Sequence, residues 1–171
     1  ISVKLIIEDT ETDTAVGLQK LISLKEKGVQ VVIGPYTSAG LKTVMDYANQ
    51  NDLLIISPSS VATSLAVPDD NIYRLISSDI SQGEAMTALL NDDSIEMLIP
   101  IIRDDLWGNE LLATISQQFT NSKKAIYTPV KYATSTTDFM SFIYQLKVNL
   151  MDAMNQYPSD KIGIYMASFG E

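Results

Sequence analysis

Short runs of β-branched and aliphatic residues alternate along this chain with segments in which apolar residues recur every three or four positions. This alternation limits the choice of fold more than any other feature, because the runs are typical of buried strands and the longer segments of amphipathic helices. The strand candidates are residues 3–7, 29–33, 53–56, 72–76, 95–102, 125–130 and 161–166. The helix candidates are residues 16–24, 41–48, 85–90, 111–119 and 139–154.

Strands that are apolar almost throughout and separated by helices are typical of parallel sheets covered on both faces. We therefore predict an α/β protein with doubly wound parallel sheets. The strand at residues 72–76 differs from the others, because turn-forming polar residues flank it and no long helix is expected on either side. We interpret it as a crossing segment and predict two lobes, residues 1–76 and 77–171.

Composition narrows the classes of function. Hydrophobic residues make up 46% of the 171 positions, enough for a real core, and the net charge of −9 comes without a Lys/Arg cluster that could bind nucleic acid. The chain has no histidine and no cysteine, so the usual general base, the thiol nucleophile and nearly all zinc sites are unavailable. We expect no enzymatic activity, no cofactor and no metal, since the Asp pairs at 69/70, 92/93 and 104/105 fall at predicted turns.

Two clusters of hydroxyl side chains follow neighbouring predicted strands. The first contains Tyr36, Thr37 and Ser38 at the start of a predicted helix, and the second runs from Ser57 to Ser64 and includes Ser59, Ser60 and Thr63. Carboxyl ends of parallel strands meet at one sheet edge, and the free N–H groups of a helix start can bind a carboxylate. The sequence therefore predicts a site for a small polar or zwitterionic solute. The alternative is that these residues only cap a helix and form turns.

Several motifs together resemble a known family. The motifs are Val31-Val32-Ile33-Gly34-Pro35, Ile55-Ile56-Ser57-Pro58-Ser59, Ile72-Tyr73-Arg74, Ser81-Gln82-Gly83, Trp107-Gly108-Asn109-Glu110, Thr137-Asp138-Phe139 and Ile164-Tyr165. In order and spacing they resemble type I periplasmic binding proteins, and most closely the leucine/isoleucine/valine-binding group. The resemblance covers nearly the whole chain. It implies a solute-binding component of an ABC importer that clamps an amino acid between two lobes.

The resemblance also implies roles for individual residues of the first lobe. Ser38 matches a serine whose hydroxyl contacts the ligand carboxylate, and Ser59 matches a position that contributes backbone contacts. Val61 matches a ligand-contacting threonine, which is a departure from the family pattern. Ser60 or Thr63 would then supply the missing hydrogen bond, or the polar end of the ligand differs from that of an amino acid.

In the second lobe, Trp107 and Phe169 match tyrosines that close over the ligand. Both keep an aromatic ring but lack the phenol hydroxyl, so an apolar or a cationic ligand would fit. The alternative interpretation of Trp107 is a loop aromatic packed onto a helix. Tyr36 has a weaker claim to a ligand contact than either residue.

Family members extend beyond both ends of the matching region, so the resemblance implies a partial chain and an ammonium-binding acidic residue beyond Glu171. It implies an extracytoplasmic location, with or without a lipid anchor, and a membrane permease as partner. Self-association through open sheet edges is a further expectation. A ligand-sensing domain of the same fold is the main alternative function, and a flavodoxin-like enzyme is a remote one.

Overall fold

A computed structural model describes residues 3–169 of the chain. It divides into two compact units, Ile1–Ser78 (unit 1) and Asp79–Glu171 (unit 2), each with its own parallel sheet. Unit 1 contains α1 (Thr14–Glu26), β1 (Val31–Ile33), α2 (Ser38–Gln50), β2 (Leu54–Ser57), a 3₁₀ turn (Thr63–Leu65) and β3 (Ile72–Arg74). Unit 2 contains α3 (Asp79–Asp92), β4 (Met97–Arg103), α4 (Leu106–Asn121), β5 (Ala125–Ile126), β6 (Val130–Tyr132), α5 (Met140–Ala153), a 3₁₀ turn (Ser159–Lys161) and β7 (Ile162–Ala167). The predicted α/β class with parallel sheets is confirmed.

The sheet of unit 1 has the strand order β1-β2-β3, with Ile33 beside Ile56 and Ser57 beside Arg74. Alternate residues of a strand point to opposite faces, so Ile55 lies on one face and Ile56 on the other. The face with Ile55 is buried, and α2 contacts β2 on this unit. The opposite face is open at Ile33, which is 69% exposed. Burial on one face alone therefore supplies the apolar stabilisation of this sheet.

The sheet of unit 2 is centred on β4. β7 pairs with β4 along one edge, and β5 and β6 pair in succession along the other edge. Both faces of β4 are covered. The buried residues of the first face and its helices are Leu90, Leu98, Ile102, Leu111, Ile115, Phe119, Tyr165 and Ala167. Met97 and Ile99 point to the other face, where they pack with Ala153 of α5.

Tyr165 lies within the first of these clusters. It is only 7% exposed. Burial, with a smaller effect of the Asp79 charge, raises the pKa of Tyr165 to about 12. This placement agrees with a packing role for Tyr165 and keeps its phenol neutral at ordinary pH.

Three sequence expectations are wrong in detail. Residues 3–7 form no strand, since no described strand pairs with them and Val3 and Ile7 are largely exposed; Glu8 instead binds Lys20 and Lys27 at 3.0 and 2.7 Å. The run at 125–130 is divided into β5 and β6, where Pro129 offers no N–H to a ladder.

The third error is the expectation that no long helix lies beside residues 72–76. A 14-residue helix, α3, begins at Asp79, only a few residues after β3 ends. An Asp at a helix start is favoured by the helix dipole, so the polar residues that follow β3 lead into a helix as well as a turn. The structure divides the chain at this helix start, between Ser78 and Asp79. No helix within residues 3–169 combines the length and apolarity required to cross a membrane.

Candidate functional site

The two hydroxyl clusters of unit 1 lie against each other. The Ser57 hydroxyl donates to the Pro35 carbonyl at 2.7 Å and pairs with the Ser60 hydroxyl at 2.7 Å. The Ser59 hydroxyl donates to the Tyr36 carbonyl at 2.6 Å. The loop after β1 and the loop after β2 are therefore joined by side-chain hydrogen bonds and form one surface, which we call the hydroxyl loop pair (residues 34–38 and 57–63).

The local backbone explains why these loops meet. β1 and β2 run parallel in register, so both end at the same edge of the sheet, and the Gly34 N–H donates to the Ile56 carbonyl at 2.9 Å. Gly34 has φ +119°, a conformation that side chains rarely adopt. At Gly40 a Cβ would lie 2.9 Å from Thr37 Oγ1. Glycine at these two positions allows the turn and the close approach of the first turn of α2.

Thr37 and Ser38 stand at the start of α2 and have different partners. Thr37 is the N-cap, and its hydroxyl accepts from the Gly40 N–H at 3.1 Å. The Ser38 side chain is buried, and its Oγ accepts from the Ala62 N–H at 3.2 Å. That bond uses an oxygen lone pair, so the Ser38 hydroxyl hydrogen remains for another acceptor. The first N–H groups of α2 also have no partner inside the helix and favour an anion.

Ser60 and Thr63, the two residues expected to replace the threonine hydroxyl missing at Val61, differ in whether their hydroxyls are already hydrogen-bonded. Ser60 is fully buried, and its hydroxyl is engaged with Ser57. Thr63 Oγ1 is buried and has no hydrogen-bond partner within the described residues. Val61 itself is half-buried, whereas the Tyr36 ring is 66% exposed. Thr63 is therefore the better placed of the two hydroxyls to compensate for the valine.

Ser57, which belongs to the second hydroxyl cluster of the sequence, and Arg74, which sequence reasoning missed as a supporting residue, both support the hydroxyl loop pair. Arg74 Nη1 donates to the Ala62 carbonyl at 2.8 Å, while the Ala62 N–H binds Ser38. Both backbone polar groups of Ala62, its N–H and its carbonyl, are thus hydrogen-bonded. The available signal was position: Ser57 ends an apolar strand at the same edge as the loops, and Arg74 ends the next strand.

In unit 2 the two aromatic residues predicted to contact a ligand lie together. The rings of Trp107 and Phe169 have centroids 4.7 Å apart and are tilted by 41°. Trp107 is in the first turn of α4, and Phe169 follows the end of β7. β4 and β7 pair in parallel up to Ile102 and Ala167, so both aromatic residues lie near the same sheet edge.

An ion pair that sequence reasoning missed supports these rings. The guanidinium carbon of Arg103 lies 3.9 Å from the centroid of the Phe169 ring. Arg103 Nε and Nη2 donate to Asp105 Oδ2 at 2.8 and 2.5 Å, and Asp105 Oδ1 accepts from the Gly108 N–H at 2.8 Å. Asp105 therefore caps α4 and anchors Arg103 at once. We call Arg103, Asp105, Trp107 and Phe169 the aromatic surface.

Asp104 and Asp105 are engaged by other side chains. Asp104 Oδ1 accepts from Asn109 at 2.9 Å, and Asp105 is the partner of Arg103. Across residues 3–169 there is no group of three or more acidic, histidine or cysteine side chains that could hold a metal ion.

Parallel α/β units with polar and aromatic side chains at the carboxyl ends of their strands are typical of proteins that bind small ligands at these ends. A family model described as periplasmic binding protein matches residues 1–156, and the chain belongs to this family. An uncharacterized protein of Methanocaldococcus jannaschii is 33% identical over 115 residues, which are 64% of this chain and 28% of that protein.

Solved structures of binding proteins share the fold. A leucine binding protein, LivK, of Thermotoga maritima matches with a TM-score of 0.81 and 18% identity, over 97% of this chain and 45% of that one. LivJ of Streptococcus pneumoniae, a branched-chain amino acid transporter substrate-binding protein in complex with isoleucine, matches with a TM-score of 0.74 and 18% identity, over 84% and 41%. The chain thus spans less than half the length of each of these relatives.

Proposed function

We propose that this chain contributes to an extracytoplasmic solute-binding protein of an ABC importer, and that its solute is an amino acid with an apolar side chain. Family membership and the LivK and LivJ folds support a binding role rather than a catalytic one. A membrane permease is the partner that this function requires. A lipid anchor, where present, would keep the protein at the membrane that holds the permease.

The hydroxyl loop pair supplies the polar contacts. The solute carboxylate accepts from the Ser38 hydroxyl and from the first N–H groups of α2, whose dipole adds about 0.3–1 kcal/mol. Ser38 already accepts from Ala62, which fixes the oxygen and directs its hydrogen away from that N–H. This single geometry, a buried serine with its oxygen fixed at a helix start, is the observation that carries the proposal.

The aromatic surface of unit 2, taken by itself, is suited to apolar contacts with a solute. Trp107 and Phe169 offer ring carbon to an aliphatic side chain, and burial of apolar area contributes about 25 cal/mol per Å². The phenol hydroxyls of the family pattern are absent from both residues, so this surface adds no hydrogen bond of its own. The solute side chain is then selected by size and polarity.

A thermal-shift screen of the protein tests the function directly. We expect L-leucine, L-isoleucine or L-valine at millimolar concentration to raise the melting temperature, because a ligand that binds only the folded state stabilises it by mass action. Glucose and glycine serve as controls: glucose lacks the carboxylate, and glycine lacks the apolar side chain. A shift with glucose and none with any amino acid would overturn the proposal.

A further inference from the structure

We propose that Arg103 determines which solute side chains the aromatic surface accepts. Its guanidinium occupies one face of the Phe169 ring, so that the surface favours an uncharged side chain over a cationic one. This inference rests on the proposed function and assigns a specificity role to a residue that the family pattern did not bring forward. It also decides between the apolar and cationic ligands that the aromatic residues alone left open.

The contact between Arg103 and Phe169 satisfies the geometry of a cation–π pair. The distance of 3.9 Å between the guanidinium carbon and the ring centroid is well inside the limit of about 6 Å for such a pair. The Arg103 side chain is only 12% exposed. Weak exposure strengthens the attraction, because water no longer screens the charge from the ring.

Asp105 makes this arrangement rigid. Its carboxylate binds two nitrogens of Arg103 with one oxygen and caps α4 with the other. The side chain of Asp105 is 11% exposed, so the ion pair is shielded on both sides. A planar guanidinium held by two hydrogen bonds cannot rotate away from the ring without breaking them. Arg103 is therefore a positioning residue for Phe169.

The position of the Arg103 guanidinium on the Phe169 ring explains why the aromatic surface should favour uncharged over cationic side chains. An ammonium group that approached Phe169 would find one ring face already bound to a cation, which leaves less of the negative potential of the ring to attract it. An aliphatic side chain needs only ring carbon and has no such competitor. Removal of the guanidinium would free the ring face and leave the Asp105 carboxylate without its counter-ion. The same substitution would therefore create a site suited to a cation.

Isothermal titration calorimetry with L-leucine and L-lysine on wild type, Arg103→Met and Arg103→Lys tests this role. The selectivity ratio is the dissociation constant for lysine divided by that for leucine. We expect Arg103→Met to lower this ratio by about thirtyfold in favour of lysine, which corresponds to the ~2 kcal/mol of one desolvated cation–π contact. Arg103→Lys should lower it less, since the charge remains but the planar fork is lost. Lys131→Met is the matched control, because it also removes one positive charge but lies on β6 with its side chain 41% exposed.

Trp107 is the only tryptophan of the chain, so its fluorescence reports on the aromatic surface alone. Arg103→Met should change its emission, and Lys131→Met should not. A selectivity ratio that stays within about twofold of wild type in Arg103→Met, with leucine still bound, would overturn the inference, since a real cation–π contact changes it more. If Arg103→Met does not fold, Arg103→Gln, which also removes the positive charge but can still bind Asp105, decides in the same way. Failure of wild type to bind any amino acid is a different result, which overturns the proposed function and the inference with it.

Discussion

The hydroxyl loop pair of unit 1 and the aromatic surface of unit 2 are held in place by different physical means. In unit 1, buried serine hydroxyls bind the carbonyls and N–H groups of neighbouring loops, as Ser57 binds Pro35 and Ser38 binds Ala62. In unit 2, one ion pair positions an aromatic ring and caps a helix. Hydroxyls that look like ligand contacts in the sequence thus also hold the loops together. Substitutions in unit 1 should therefore change the loop structure and the ligand affinity together. In unit 2, a substitution can change ligand selectivity without changing the stability of the unit to the same degree.

The largest expected effect concerns the backbone contact beneath the aromatic surface. A Cβ at Gly108 would lie 2.1 Å from the Arg103 carbonyl oxygen, which is backbone and cannot turn aside. We expect Gly108→Ala to lower the free energy of unfolding by about 3 kcal/mol, at the upper end of ordinary overpacking. Chemical denaturation measures this loss. Gln117→Ala, at an exposed position of the same helix, is the control and should change little; equal stability of the two variants would contradict the described packing.

The next largest effect is a difference in stability between the loss of a buried hydroxyl and the loss of an exposed hydroxyl of the hydroxyl loop pair. Ser57 is fully buried, so Ser57→Ala should cost about 1–3 kcal/mol by leaving the Pro35 carbonyl without a partner. Ser59 is exposed, and water can replace its bond to the Tyr36 carbonyl. Ser59→Ala should therefore cost less than about 0.5 kcal/mol. Equal losses in urea unfolding would show that burial does not distinguish these serines.

A smaller effect concerns the core of unit 2 at alkaline pH. The folded pKa of Tyr165 is raised to about 12, above the ordinary value for tyrosine of about 10. Its neutral form is favoured in the folded state, so the stabilisation is complete below about pH 10 and is lost as the pH rises towards 12. Tyr165→Phe should reduce this alkaline loss by about 1–2 kcal/mol, measured as unfolding free energy against pH. An alkaline loss in Tyr165→Phe equal to that of wild type would contradict the burial of this phenol.

The sequence was sufficient for the parallel α/β class, because periodicity reports which residues of a strand or helix are buried. It was sufficient also for the neighbourhood of Ser38, Ser59 and Ser60, since parallel strands end at one edge. It could not predict that residues 3–7 form no strand, because strand formation depends on a neighbouring strand and not on β-branched composition alone. The predicted self-association through open edges stays a prediction.

The supporting side chains were beyond sequence reasoning for a different reason. Arg74 and Arg103 each act on a residue that is distant in the chain, Ala62 and Phe169, so no local spacing connects them. Asp105 was recognised only as a turn former, since its double role depends on where Arg103 and α4 meet. Local patterns therefore predicted the residues at the strand ends better than the residues that position them.

The role of Ser38 is tested most directly by calorimetric titration of Ser38→Ala with L-leucine. We expect a loss of about 1–3 kcal/mol in binding free energy, because the carboxylate loses a charge-assisted hydrogen bond. Thr43→Ala, which removes a hydroxyl bound to the Ala39 carbonyl on the same helix, should bind leucine as wild type does. A Ser38→Ala variant with wild-type affinity for leucine would contradict the assignment of the solute carboxylate to the start of α2.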